Sequence, residues 1–313
     1  MKNDVYGIGN PLIDINVKIT DEELSSLNIE KGIMHLIDED KAKIIQKFLE
    51  NKKPTKYPAG SCANTIMGIA RLGGIVSYGG KLGSDDNAKI YEKALKNCHV
   101  ISSLSFDEGI TGSSTIFVTP DGERTMNTFL GNCQKFSKSD VDTELILNSK
   151  YLYLTGYMWD TKNQKEAALF AMDFAKKNNV KIAFNLADPF LVNRNKNDFL
   201  DLISRYVDLI IANEEEAKTL FDTDAIEALS LLGKKCDIAV ITRGNKGSIA
   251  AHKDSIIKMG AFKVDPVDST GAGDMFAAGL LYGICKNMTI ADSMQLGSFF
   301  ASWIVSRWGV RLE

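Results

Sequence analysis

From about residue 151 onward, short apolar runs alternate with amphipathic stretches. YLYLTGY is followed by a helical pattern over 161–178, then VKIAFNLAD, a helical 197–206, VDLIIAN, a further helical pair and DIAVITRG. Short apolar runs bounded by helices fit strands buried on both faces, and parallel neighbours need crossovers long enough to hold a helix. The alternation therefore predicts an α/β architecture with a mostly parallel, doubly wound sheet flanked by helices. Two more helical patterns, about 271–287 and 289–307, come after a glycine-rich turn.

The first half reads differently. SSTIFVT and RTMNTFLG alternate in polarity and are joined by Pro120–Glu123, a hairpin signal. Residues 15–37 offer a second, similar segment. We expect a small β lid, built from about 11–40 and 105–131, over the core. No linker rich in Pro, Gly or Ser interrupts the 313 residues, so one domain spanning 1–313 is expected.

Composition narrows the function. With 44% hydrophobic and 25% charged residues the chain can bury a large core. Lys+Arg 37 against Asp+Glu 40 gives a net charge of −3 with no basic stripe, which argues against nucleic acid as a partner. The longest nearly uninterrupted apolar run, Phe276–Ile284, is short of the ~18 residues of a membrane span. Five scattered cysteines without a CxxC pair, and only three histidines, give neither a disulfide framework nor a zinc site. Asp4 interrupts any signal-like stretch, so a reducing cytoplasm is the expected setting.

The strongest motif is DSTGAGD, Asp268–Asp274, running directly into MFAAGLLYGI. Small residues ahead of a helix leave backbone N–H groups bare along its axis, which makes an anion hole from Gly271, Ala272 and Gly273. An Asp in a first helical turn also complements the macrodipole on its own account. Here a carboxylate and a nest for negative charge occur together, the combination that phosphoryl transfer needs.

Other candidates follow apolar runs. TRGNKGS, Thr242–Ser248, comes after DIAVI, where a loop in an open parallel sheet faces the ligand crevice. NEEE, Asn213–Glu216, comes after VDLIIA and also reads as an ordinary helix cap. GIGNPLID places Asn10 and Asp14 near the end of the first strand, and AGSCAN presents Gly60, Ser61 and Asn64 before an apolar helix. Leu12 stands where GxGxxG needs its third glycine, which disfavours a dinucleotide turn. An amide and a carboxylate converging on one pocket suit vicinal sugar hydroxyls. GGIVSYGGKL, Gly73–Leu82, is no Walker A, because Ile75 and Leu82 occupy positions that need Gly and Ser or Thr.

These motifs, in this order along the whole chain, resemble the ribokinase-like (PfkB-type) carbohydrate and nucleoside kinases, and GNPLID, GSCAN, NLADPF and TPDGERTMNTFLG are most similar to the bacterial adenosine kinase-like members. The resemblance implies the ribokinase-like fold and transfer of the γ-phosphate of ATP to a primary hydroxyl. The acceptor is expected to be the 5′-hydroxyl of adenosine, with ribose, fructose or 2-keto-3-deoxygluconate as the alternative. It gives Asp274 the role of base, Thr242, Gly244, Gly247 and Asn213 that of nucleotide contacts, and Asn10, Asp14, Gly60, Ser61, Asn64 and Arg124 that of substrate contacts. Glu216 is expected to organise Mg2+ through water. Family members often bind a monovalent cation such as K+, which would sit at Asp268 and the turn of residues 306–309. The gly-rich segment Gly80–Gly83 is expected to be a structural turn. Tyr157, Met158 and Trp159 are candidates either for stacking a purine or for plain core. A monomer and a homodimer paired through the lid are both open.

Overall fold

The computed structural model describes residues 2–307 and Gly309. Along the chain the strands are β1 (Asn3–Ile8), β2 (Leu12–Lys18), β3 (Met34–Leu36), β4 (Thr55–Ala59), β5 (Val76–Leu82), β6 (Ile101–Phe106), β7 (Ser113–Val118), β8 (Arg124–Phe129), β9 (Ser149–Thr155), β10 (Lys181–Asn185), β11 (Leu209–Asn213), β12 (Ile238–Thr242), β13 (Ser248–His252) and β14 (Ser255–Met259). Nine form one sheet in the order β14-β13-β12-β11-β10-β9-β1-β5-β6, and five form a second in the order β3-β8-β7-β2-β4.

The large sheet is parallel from β6 to β12 and turns antiparallel only at β13 and β14. Its strands are apolar on both faces, as the continuous runs required. Tyr6, Leu152, Leu154, Ile182, Phe184 and Ile210 point to one core, under helices that include Lys162–Lys177, Lys196–Arg205 and Glu214–Phe221. Val5, Tyr153, Ala183, Leu209 and Ile211 point to the other, under Ser61–Arg71, Asp86–Asn97, Ala272–Cys285 and Ile290–Val305. This is the doubly wound arrangement that the alternation predicted, as the resemblance to the ribokinase-like family also implied.

The small sheet departs from expectation in four ways. β7 and β8 do form the hairpin, closed by the Gly122 amide donating to Thr119 O at 2.9 Å. The segment 15–37 is not a second hairpin, because β2 pairs in parallel with β7 and β3 pairs in parallel with β8. Between them runs a short helix, Asp21–Ser26, started by a Thr20–Glu23 capping box. The third departure is β4, antiparallel to β2 along one edge, in a segment whose polar composition and Pro58 hid it as a strand. The lid sheet proper begins at Ser113, since Phe106 ends β6 in the large sheet.

Period 2 divides the small sheet. Val17 and Phe117 pack with Leu24, Leu27 and Ile45 beneath the helices Asp21–Ser26 and Glu39–Leu49 on its outer face. Asp14, Ser114, Ile116, Met126 and Thr128 stand on the other face and line a cavity above the large sheet. Among the described residues no helix is long and apolar enough to cross a membrane.

At the opposite end of the large sheet, the buried Asp4 carboxylate accepts from the Ile75 amide (3.0 Å), Lys150 Nζ (2.9 Å) and Lys286 Nζ (2.7 Å). Burial pushes this carboxyl up, but those donors outweigh it and hold it below the usual carboxylate value. A depressed folded-state pKa stabilises above the unfolded value and the benefit is lost as pH falls through the folded one. Asp4→Asn is therefore expected to lower stability by about 2 kcal/mol near neutral pH. In thermal melts the gap to wild type should close below pH 4, and an unchanged melting temperature at pH 7 would show the pair contributes nothing.

Candidate active site

Five parallel strands end at one cavity. Asn10 just beyond β1, Thr155 of β9, Asn185 of β10, Asn213 of β11 and Thr242 of β12 all line it, at the carboxyl ends where an open α/β sheet binds ligands. Its volume is about 410 Å3, within the range of small-molecule sites. A larger groove of about 990 Å3 lies beside it and shares Asp14 and Thr270, but does not reach Asp274.

Two helices point their amino termini into the cavity. The first, Ser61–Arg71, starts at Gly60, whose φ of 112° and whose position 2.1 Å (ideal Cβ) from the Asn10 carbonyl oxygen exclude any side chain. The second, Ala272–Cys285, starts at Gly271 in the left-handed region. Asp274, in its first turn, accepts from Ser61 Oγ at 2.5 Å and from Asn64 Nδ2 at 2.9 Å. Ser61 and Asn64, expected on the substrate, thus hold the candidate base with their side-chain donors, while still lining the cavity. Asn64 Oδ1 is buried without a partner and is free to accept from a ligand. Burial raises the Asp274 carboxyl above its ordinary value, against the opposing pull of Ser61 and Asn64.

The anion hole is narrower than expected. The Ala272 amide donates to Ser269 O at 3.2 Å, closing the turn, and the Met275 amide donates to Gly271 O at 2.9 Å. Among the described residues no acceptor meets the amides of Gly273 and Asp274, and a Cβ built on Gly273 would meet nothing within 4 Å. These two amides belong to the first turn of a helix whose start lines the cavity.

Asp14 stands over the cavity from β2. Burial comes first in raising its carboxyl to about 7, Arg124 opposes the rise, and Asp274 and Asp268 add to it. Arg124, expected on the substrate, instead reaches across from β8 to the Asp268 carboxylate and to Thr270 Oγ1 (3.3 Å). Asp268 also accepts from the Thr270 amide (3.0 Å), Thr270 Oγ1 (2.7 Å) and the Gly309 amide (3.1 Å). The cation role expected of Asp268 meets a side chain that is already engaged. Both oxygens carry donors and the charge is matched by a guanidinium, so the side chain does not fit K+. The neighbouring Val305 carbonyl is likewise taken by the amides of Val267 and Asp268. Trp308, in the turn also expected to frame the cation, lies outside the described residues.

Asn213 and Glu216 form a complete capping box. Asn213 Oδ1 accepts from the Glu216 amide (2.8 Å), and the Glu216 carboxylate accepts from Asn213 N (2.8 Å) and Nδ2 (2.6 Å). Burial raises the Glu216 carboxyl to about 7, against those bonds, and Asp188 adds to the rise. Its carboxylate still lines the cavity, and a cation that keeps its waters needs no more than such a carboxylate behind them. Asp14, Glu216 and Asp274 face a cavity whose described lining holds no lysine or arginine, so a polyphosphate needs a dication to enter. The residues present therefore fit Mg2+ arriving with a nucleotide.

Thr242 lines the cavity, whereas Gly244 and Gly247 belong to the loop beyond it. Gly247 is fixed by packing, since a Cβ there would lie 2.0 Å from the Met259 carbonyl oxygen at a φ of 83°. The segment Gly80–Gly83 is not the expected turn, since Gly80 to Leu82 end strand β5 paired with β6, and Lys81 there pairs with Asp140 at 3.1 Å. Met158 and Trp159 are core, with Trp159 edge-on to Phe184 and Phe199, and only Tyr157 of that trio reaches the cavity. Sequence reading did not single out the apolar wall of Met34, Leu36, Ile116, Met126 and Leu130. The alternation in SSTIFV and RTMNTF carried that signal for Ile116 and Met126 once one face was known to be covered.

Comparison with known proteins agrees with this geometry. Residues 33–313 match the model of the pfkB family of carbohydrate kinases. The chain is 25% identical to adenosine kinase 2 of Arabidopsis thaliana over 97% of this chain and 94% of that protein. It is similar to the solved adenosine kinase of Sinorhizobium meliloti, at 34% identity and a TM-score of 0.89, covering 99% and 96% of the two chains. A probable sugar kinase of Rhizobium etli CFN 42 matches with 33% identity and a TM-score of 0.90 over the same shares. With an α/β cavity of this construction and a family match over most of its length, the chain belongs to the pfkB family and is a kinase that phosphorylates an alcohol.

Proposed function

We propose that the alcohol is the 5′-hydroxyl of adenosine, with ATP as donor and AMP as product. The observation that carries this reading is the mixed lining of the cavity. Asn10, Asp14, Gly60 and Asn64 give it polar groups suited to sugar hydroxyls, while Met34, Leu36, Ile116, Met126, Leu130 and Tyr157 give it apolar surface suited to a purine. The same lining, acidic and without a lysine or arginine, disfavours an acceptor that itself carries a carboxylate, such as 2-keto-3-deoxygluconate.

Asp274 takes the proton of the primary hydroxyl as that oxygen bonds to the γ-phosphorus and the bond to the ADP oxygen breaks. Ser61 and Asn64 hold its carboxylate in place, which fixes the direction of proton transfer. The amides of Gly273 and Asp274 receive the charge that develops on the transferring group. Asp14 accepts from the sugar hydroxyls and Asn64 Oδ1 offers a second acceptor. Bound Mg2+, with Glu216 behind its waters, supplies charge neutralisation for the phosphates.

Three outcomes follow. Incubation with MgATP and an equimolar mixture of adenosine, other nucleosides, ribose, fructose and 2-keto-3-deoxygluconate should give AMP as the dominant product by mass, and a sugar phosphate without AMP would replace the substrate reading. Asp274→Asn should keep the fold and cut kcat by about 10²–10⁴, the range for loss of a general base; near-normal turnover would remove Asp274 from the mechanism. Because Asp14 has a folded-state value of about 7 against 3.8 in the unfolded chain, its ionisation opposes folding at alkaline pH and the penalty fades as pH falls toward 4. Asp14→Asn should therefore raise the melting temperature at pH 8, raise it less at pH 5, and lose affinity for the acceptor. A drop in melting temperature at pH 8 would mean that the ionised carboxylate is fully satisfied.

A further inference from the structure

Gln164 is fully buried in the helix Lys162–Lys177 and holds a position from which it touches the cavity only through Asn10. Thr161 caps that helix. Its Oγ1 accepts the Gln164 backbone N–H at 3.5 Å, so its own proton is free for another acceptor, and Gln164 Oε1 lies 2.9 Å away. A hydroxyl has one proton, and the opposite arrangement would leave it without an acceptor while Thr161 Oγ1 received two donors. The cap thus fixes the Gln164 amide with Nε2 pointing outward, where it donates to Asn10 Oδ1. Asn10 then turns its acceptor oxygen toward the buried Gln164. What remains for the cavity, which Asn10 lines, is the donor Nδ2.

We propose that Gln164 is a positioning residue that sets the hydrogen-bonding polarity of the acceptor pocket, so that the bound molecule must present an oxygen or an unprotonated ring nitrogen to Asn10. This rests on the cavity being the acceptor site. A neutral polyol or nucleoside meets the requirement. A ligand that offers only a donor there, such as an ammonium group in place of a hydroxyl, leaves two N–H groups facing each other, one of them buried and unpaired.

The test is a double-mutant cycle on the full-length kinase with the acceptor that the product assay identifies, so a wrong substrate reading and a wrong polarity reading give different results. Gln164→Met removes the amide while keeping the length of the side chain. It should raise the KM for the acceptor about tenfold with kcat within threefold, the pattern of lost uniform binding. In an Asn10→Ala background the same substitution should change KM by less than twofold, because the group through which it acts is gone. Thr161→Val should reproduce the effect more weakly and Thr161→Ser should restore it, which keeps the inference testable if Gln164→Met fails to fold. An unchanged KM in Gln164→Met, or an equal rise in both backgrounds, would overturn it.

Discussion

Two helices that begin 211 positions apart meet over one carboxylate, and the site depends on that meeting. Ser61–Arg71 and Ala272–Cys285 lie close because Gly68 faces Ala278, where a Cβ on the glycine would come within 2.7 Å of the alanine methyl. Ser61 and Asn64 are three residues apart and share a helix face, so both reach Asp274 once the helices touch. Thr65 adds a bond to the Asp274 carbonyl at 3.2 Å. Asp274 is thus placed by packing in the core as much as by its own turn, and a loosened helix pair would move its carboxylate.

The sequence carried the large sheet because buried parallel strands and amphipathic helices have distinct periods, and both are local properties. DSTGAGD carried the base for a related reason, since a glycine turn against a helix start has few other uses. What stayed hidden depends on pairing at a distance. β4 could not be read from TKYPA, because its place as an edge strand is decided by β2 forty residues away. Arg124 pointed to the lid, yet its partner lies 144 residues on, and no local pattern shows that a guanidinium satisfies Asp268. Asn213 and Glu216 were readable both as a cap and as a metal site, and the capping box is complete while the same carboxylate lines the cavity.

The corner at Asp268 joins three segments that are remote in sequence. Arg124 comes from the lid, Thr270 from the phosphate turn, and Gly309 from beyond the last helix. Since Asp268 also raises the Asp14 carboxyl and Arg124 lowers it, the charge state of Asp14 depends on whether this bridge is made. The small sheet and the ionisation of Asp14 are therefore linked through one ion pair.

The way the chain starts its helices separates structure from function. Thr20, Asp38, Asp85, Asp142, Thr161, Asp188, Asn213, Asp224 and Thr289 each accept a backbone N–H at a helix start, so those termini are satisfied from within. Among the described α-helices the ones that begin with glycine and lack a side-chain cap are Ser61–Arg71 and Ala272–Cys285. Both point into the same cavity. A cap is worth about 1 kcal/mol, and a chain that uses one at nine other helix starts leaves that stabilisation unused at these two termini, both of which border the cavity. At Gly60 a side chain would collide with the Asn10 carbonyl oxygen and at Gly271 the backbone is left-handed, so at these two helix starts the backbone path that borders the cavity excludes the cap that folding alone would favour.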